Sequence, residues 1–222
     1  MGKTEQLDKL MEEWKQKHIN NGYKHFISDG IVCEEKWNSQ TTPRVCFFLK
    51  EAYTDEEGFD LTEYVQEPKK MWKKVAIWVQ AIHNAFSGKI VEYNDGILRS
   101  NEKQAIETIA IVNIKKSDGE HQSNYEDLEK FAVDDKKELK KELEIIQPDI
   151  IVCGNNYSLL KEVLGDELND GNVWDNLFTM WNNTLVINYY HPAVQYANRV
   201  NYYALTAICN AAIQKYHLDF KH

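Results

Sequence analysis

The chain has 222 residues, of which 43% are hydrophobic, and its formal net charge at pH 7 is −9. This length and apolar content are sufficient to bury one substantial core, so we expect a single domain over residues 1–222. The acidic balance argues against tight, indiscriminate binding to nucleic acid, because such affinity comes largely from Lys and Arg side chains that neutralise phosphates.

The sequence also predicts where the protein resides and what it does not bind. It has no apolar run of about 18 residues and no signal-peptide core, so we expect a cytoplasmic protein that does not cross a membrane. Its cysteines are far apart and its histidines do not have the spacing of ligand clusters. We therefore expect reduced thiols, no metal and no cofactor. The four cysteines are Cys33, Cys46, Cys153 and Cys209.

The predicted elements begin with a helix over the first 20 residues, and four strands follow it. The strands are short apolar runs at residues 44–49, 108–113, 149–153 and 185–190. These runs are apolar throughout instead of alternating, which is typical of strands covered on both faces. Together with the helical stretches between them, they predict an α/β protein with a parallel sheet.

Helices are predicted between and after the strands from apolar residues at spacings of three and four. One covers residues 71–86, and another covers 134–147 and ends before Pro148. A third covers residues 194–214 and is predicted to pack on the sheet. Its predicted packing face consists of Ala197, Val200, Ala204, Ala207, Ile208 and Ala211.

Polar residues follow the predicted strands directly, among them Glu51, Asn113 and His191. In an open parallel sheet, ligands bind outside the carboxyl ends of the strands, so we expect these three residues to converge on one pocket. A carboxylate, an amide and a histidine beside aromatic rings suit a flat heterocycle, because an amide can bind a base edge and a ring can stack on it.

The order of these segments resembles the uracil-DNA glycosylase superfamily over about residues 44–210. Residues 50–54 (KEAYT), followed by Gly58-Phe59, are similar to its first motif, usually Gly-Glu-Ala-Pro-Gly before a base-stacking Phe. Residues 113–116 (NIKK) look like its base-reading strand, and residues 143–154 (LEIIQPDIIVCG) like its helix-Pro-strand-Gly connection. Residues 191–193 (HPA) resemble its His-Pro-Ser/Ala motif.

The resemblance implies a three-layer α/β/α fold with a four-stranded parallel sheet in the order 2-1-3-4. It also implies a monofunctional DNA glycosylase of base-excision repair, a hydrolase that removes uracil or another damaged or modified base. DNA would be the partner, contacted locally around a flipped base. The sequence leaves the oligomeric state open, and a monomer is favoured. The chain departs from the family at Lys50, Ala52 and Tyr53, and it lacks the paired cysteines of the iron–sulfur branches.

Catalytic roles follow from the resemblance for three residues. Glu51 is predicted to activate water, with Asp55 as the other candidate carboxylate, and His191 to donate a hydrogen bond to the departing base. The structural alternatives are a cap or salt bridge to Lys50 or Lys115 for Glu51, and a satisfied histidine before a turn proline for His191.

Binding roles are predicted for five further positions. Asn113 would read the base, and Phe59 or Tyr53 would stack on it, while Lys115 and Lys116 would contact the DNA backbone. The alternatives are an Asn that satisfies backbone groups, rings that belong to the core, and lysines that are simply exposed.

Two other functions remain open at this point. One is a catalytically inactive glycosylase-like module that only holds a nucleobase, a nucleotide or modified nucleic acid. The other is a flavodoxin-like enzyme that acts on an unrelated small substrate, since a fold does not specify a function.

Overall fold

A mixed β-sheet forms the centre of the protein, whose computed structural model describes residues 1–88, 91–169 and 177–220. Within those ranges the sheet has seven strands in the order β1-β3-β2-β4-β7-β6-β5. The strands are β1 (Gly30–Ile31), β2 (Val45–Glu51), β3 (Ile109–Lys115), β4 (Ile150–Gly154), β5 (Leu168–Asn169), β6 (Phe178–Trp181) and β7 (Thr184–Tyr189).

The four predicted strands are the parallel centre of this sheet, where they lie side by side as β3-β2-β4-β7. β1 adds to one edge in the antiparallel sense, and β6 and β5 add to the other. The α/β class is confirmed, whereas a sheet of four parallel strands only is wrong. The additional strands escaped prediction because they are two to four residues long and form only the edges of the sheet.

Helices cover both faces of the sheet. Successive residues of β2 point to opposite faces, so Phe47 joins one core and Phe48 the other, and both are fully buried. The described helices are α1 (Lys3–Asn20), α2 (Glu34–Ser39), α3 (Leu61–Val65), α4 (Met71–Phe86), α5 (Asp95–Ser100), α6 (Glu102–Glu107), α7 (Tyr125–Asp134), α8 (Lys136–Ile146), α9 (Tyr157–Leu164) and α10 (Asn198–Tyr216). α4, α6 and α10 pack on one face, and α1, α7, α8 and α9 pack on the other.

The predicted C-terminal helix differs from the observed one in its start and in its buried face. α10 begins at Asn198, and Val200, which was placed on the packing face, is 55% exposed. The buried face instead carries Tyr202, Leu205 and Cys209. Alanines lie on several sides of this helix, and the larger side chains decide the face because they remove more apolar area from water.

The structure bears on two further predictions, the reduced state of the cysteines and the absence of a membrane-spanning segment. The four cysteines are free, and burial raises the pKa of the Cys209 thiol to about 12. In the described ranges, no helix is both long enough and apolar enough to cross a membrane.

Candidate functional site

A cavity of about 820 Å³ opens at the carboxyl ends of β2 and β3, beside the segment that follows β7. It contains most of the residues that the sequence singled out. Its lining consists of Leu49, Lys50, Glu51, Ala52, Tyr53, Thr54, Phe59, Leu61, Tyr64, Lys69, Lys70, Met71, Trp72, Asn113, Glu120, His121, Ser123, His191 and Ala193.

The strand register explains why these residues meet. Leu49 pairs with Asn113, and Glu51 pairs with Lys115, so Glu51 and Asn113 lie on adjacent parallel strands one pleat repeat apart. Residues two apart on a strand point to the same face, which puts both side chains on the cavity side of the sheet. His191 reaches the same cavity from the segment two residues beyond β7.

The Glu51 carboxylate is held on one side and unpartnered on the other. Its Oε2 accepts a hydrogen bond of 3.0 Å from the Glu120 backbone N–H and lies 3.6 Å from the Lys115 Nζ. Its Oε1 is buried without a hydrogen-bond partner in the described part of the chain. A buried acceptor of this kind carries a desolvation cost, which a water or a substrate hydroxyl at that position would relieve.

Asn113 is held in place through its backbone. Its side-chain amide has no hydrogen-bond partner among the described residues. Its N–H donates to Asp29 Oδ2 at 2.7 Å, and the other Asp29 oxygen pairs with the buried Lys116 ammonium. Lys116 also lies 2.9 Å from Glu142, whose pKa is raised well above its ordinary value by burial and by the nearby Asp29 charge. The buried ion cluster Asp29–Lys116–Glu142 therefore anchors the strand that carries Asn113.

His191 is a neutral ring with a known tautomer. Its Nδ1 accepts a hydrogen bond of 3.2 Å from the Ala193 backbone N–H, so the ring proton is on Nε2. Burial, followed by the Lys50 charge, lowers the pKa of His191 to about 4. At neutral pH the ring is therefore uncharged and offers Nε2–H as a donor that has no partner among the described residues.

Gly154, the last residue of β4, makes room for this histidine. A Cβ at Gly154 would lie 2.7 Å from Leu49 Cδ2 and 3.3 Å from His191 Cδ2. The first of these distances is too short for two non-bonded carbons and the second is tight, so only glycine lets the leucine and the imidazole both keep their positions. The strand-ending glycine of the sequence is thus a packing requirement of the site.

Aromatic rings form the remaining walls. Phe59 packs against Tyr64 with ring centroids 5.5 Å apart, and its carbonyl accepts a hydrogen bond from the Ser28 N–H. Tyr53 lies over His121 at 3.9 Å between ring centroids and donates its hydroxyl proton to Asp55. Both rings predicted to stack on a base therefore border the cavity.

A scan of protein-family models and a search of curated proteins give no match to this chain. Within the described residues, no group of three or more His, Cys, Asp or Glu side chains is placed to hold a metal ion. What the cavity offers is a carboxylate, an amide and a neutral imidazole donor among aromatic walls.

Three of the predicted site residues lie elsewhere or have other partners. Asp55 is exposed, outside the cavity lining, and bonded to the Tyr53 hydroxyl. Lys115 is buried between Glu51 and Asp127, and Lys116 is wholly buried in its ion cluster. The prediction that the two lysines contact a DNA backbone is wrong, because neither ammonium group is available to a phosphate.

Several lining residues escaped sequence reasoning, above all Lys69, Lys70 and Trp72 at the start of α4 and the residues Glu120 and His121 after β3. The position of residues 117–124 in the sequence does indicate that they line the site, since they directly follow a strand whose end is expected to face the ligand. The sequence gives no such indication for the start of α4, because nothing in it shows which strand end the terminus of a helix approaches.

Proposed function

We propose that the chain is a DNA glycosylase that hydrolyses the N-glycosidic bond of uracil or of another damaged or modified base. The observation that carries this proposal is the presence of Glu51, Asn113 and His191 in one aromatic-walled cavity. The four parallel strands lie side by side in the order β3-β2-β4-β7 at the centre of the seven-stranded sheet, and their carboxyl ends therefore share the edge at which the proposed site lies.

The donors suit the charge that develops as the bond breaks. When the C1′–N bond opens, its electron pair moves onto the base and is delocalised onto a carbonyl oxygen attached to the ring. A fixed donor aimed at that oxygen stabilises the transition state more than the ground state. The neutral His191 Nε2–H can supply such a donor, and the Asn113 amide has both the donor and the acceptor needed to hold a pyrimidine edge.

Glu51 would act on the other reactant, which is the attacking water molecule. Water adds its oxygen to C1′ as the base departs, and it must lose a proton to become the new hydroxyl group. A carboxylate that accepts this proton also offsets the positive charge on the sugar. The buried, unpartnered Oε1 fits this role, because Lys115 and the Glu120 N–H engage only Oε2.

The direct test is incubation with oligonucleotides that carry uracil, hypoxanthine, xanthine or hydroxymethyluracil, followed by alkaline cleavage of abasic sites. We expect strand breaks with at least one of them, and their loss in Glu51→Gln. Asp55→Asn is the matched control, since that carboxylate is exposed and lies outside the cavity. Intact strands with every substrate would overturn the proposal.

A binding module without catalysis is the second candidate. It is favoured by the burial of the Glu51 side chain beside Lys115, an ion pair that would also suit a purely structural carboxylate. Thermal protection by a free nucleobase or nucleotide, without strand breaks, would identify this function. Protection together with strand breaks would exclude it.

A further inference from the structure

A second cavity, of about 500 Å³, opens at the opposite end of the sheet from the cavity that holds Glu51 and His191. Residues 39–42, which precede β2, and Thr108, which precedes β3, line it together with the C-terminal half of α4. It therefore lies at the amino ends of these two strands. The two cavities have no lining residue in common.

Three side chains of α4 line this cavity and use their hydrogen-bond donors elsewhere in the protein. Gln80, His83 and Asn84 lie three and four residues apart, so they share one face of the helix. The Gln80 amide nitrogen donates to the carbonyl oxygens of Ala76 and Leu98, at 3.1 and 2.9 Å. Both of its hydrogens are thereby used, and Oε1 is left as an acceptor without a partner among the described residues.

The partners of His83 and Asn84 leave these two side chains with acceptors as well. His83 Nε2 lies 3.1 Å from the Pro43 carbonyl oxygen, which can only accept, so the ring proton is on Nε2. Burial lowers the pKa of His83 to about 4, so Nδ1 keeps its lone pair at neutral pH. The Tyr202 hydroxyl donates to the Val91 carbonyl at 3.1 Å. Its oxygen must therefore accept the 2.9 Å hydrogen bond from Asn84 Nδ2, which leaves Oδ1 as the acceptor.

The remaining lining adds negative charge and apolar surface. Glu92 lines the cavity and is exposed, and the described lining contains no Lys or Arg. Ile97 and Val91 also line it, although they are 60% and 38% exposed. An anion would be repelled by the carboxylate and could not donate to the acceptors of α4. The cavity therefore favours a ligand that carries donors, positive charge and an apolar part.

We propose that this cavity binds a small aliphatic organic cation, whose N–H groups donate to Gln80 Oε1, His83 Nδ1 and Asn84 Oδ1 while its alkyl chain covers the exposed apolar side chains. A protonated amine or a guanidinium group has donors and no acceptor, which matches acceptors whose own donors are already used. Hydrogen bonds from such a charged donor are stronger than those between neutral groups. The volume of the cavity lies within the usual range of small-molecule sites, about 300–1,000 Å³.

The class of ligand is tested by isothermal titration calorimetry with putrescine and agmatine. The matched probes are 1,4-butanediol, which has the same carbon chain without charge, and succinate, which carries negative charge. We expect putrescine or agmatine to bind at least about 10-fold more tightly than either matched probe, because only the cations form charge-assisted hydrogen bonds. Absence of binding by both cations overturns the inference, and so does equal binding of butanediol or succinate.

A pair of charge variants separates binding in the cavity from general attraction to an acidic protein. Glu92→Gln should weaken putrescine binding about 3-fold, because it removes the carboxylate at the cavity. Glu63→Gln removes the same charge from an exposed position outside the cavity and should leave the affinity unchanged. Equal weakening in both variants would show that putrescine responds only to the net charge of −9, and the inference would fail.

The position of the bound cation is tested by the ¹⁵N NMR signals of the histidine rings. Putrescine should shift the signal of the unprotonated Nδ1 of His83, because that atom accepts a hydrogen bond from the ligand, and His83→Gln identifies this signal. The His191 ring lines the other cavity and should keep its signals. A shift at His191 without one at His83 overturns the inference. These measurements use no DNA, so their outcome is independent of the proposed function.

Discussion

The protonation of His191 provides the sharpest test of the site, because the proposed chemistry needs a neutral ring. Its pKa in the folded protein is about 4 against an ordinary value of 6.5, chiefly through burial. In the unfolded chain the ring regains the ordinary value. Between these two pH values the unfolded state binds more protons than the folded state, so this residue makes stability rise with pH.

The size of the effect follows from the two pKa values. At about 1.36 kcal/mol per pH unit, the full difference is about 3 kcal/mol, present above pH 6.5 and lost as the pH falls towards 4. At pH 5 about 2 kcal/mol of it is already lost. His191→Gln cannot titrate and should lack this component.

Urea unfolding at pH 8 and pH 5 measures the effect as a difference between the wild type and His191→Gln. Other groups cancel in that difference, including the buried His83, whose pKa is also lowered to about 4. NMR titration of the His191 ring should show its midpoint well below 6. A midpoint near 6.5, or the same loss of stability in both proteins, would refute the assignment of a neutral, desolvated donor.

Four further predictions test the site and its support. His191→Ala and Asn113→Ala should each lower turnover by about 100- to 1000-fold while changing DNA affinity little, as single-turnover assays beside binding measurements would show; a matching loss of affinity would contradict their transition-state role. Lys116→Met should destabilise the fold by about 3–5 kcal/mol in urea unfolding, because it leaves buried carboxylates unpaired. Glu142→Gln should be neutral or stabilising above pH 7, since the raised pKa of Glu142 means that its ionisation opposes folding as the pH rises; strong destabilisation there would refute this. Gly154→Ala should lower stability by about 1–3 kcal/mol and reduce activity, because the added methyl group would lie 2.7 Å from Leu49 Cδ2 and 3.3 Å from His191 Cδ2 and would push against both cavity-lining side chains; unchanged activity would contradict the packing argument.

The sequence determined the central strands and the polar residues at their ends. β2 and β3 were predictable because each begins with a continuous apolar run, which is typical of strands in parallel sheets covered by helices on both faces. Glu51 and Asn113 then follow from the rule that strand ends of one direction share one edge. Both inferences use only local patterns and a general property of the fold class.

The tertiary structure decided the ionic partners. Lys115 and Lys116 look alike in sequence, as adjacent cations at a strand end, yet one pairs with Glu51 and Asp127 and the other with Asp29 and Glu142. Asp29 precedes Lys116 by 87 residues. No local pattern encodes such a pairing, because it depends on which distant segments the packing brings together.

The same limit explains the rim of the cavity and the role of each site residue. The ring proton of His191 is on Nε2 because a backbone N–H two residues away points at Nδ1, and its low pKa arises from burial. Lys69 and Lys70 border the cavity because α4 is packed with its first turn against the segment after β7. Residue types and their order along the chain are local and can be read from the sequence, whereas burial, tautomer and charge pairing depend on distances between segments that only the folded chain defines.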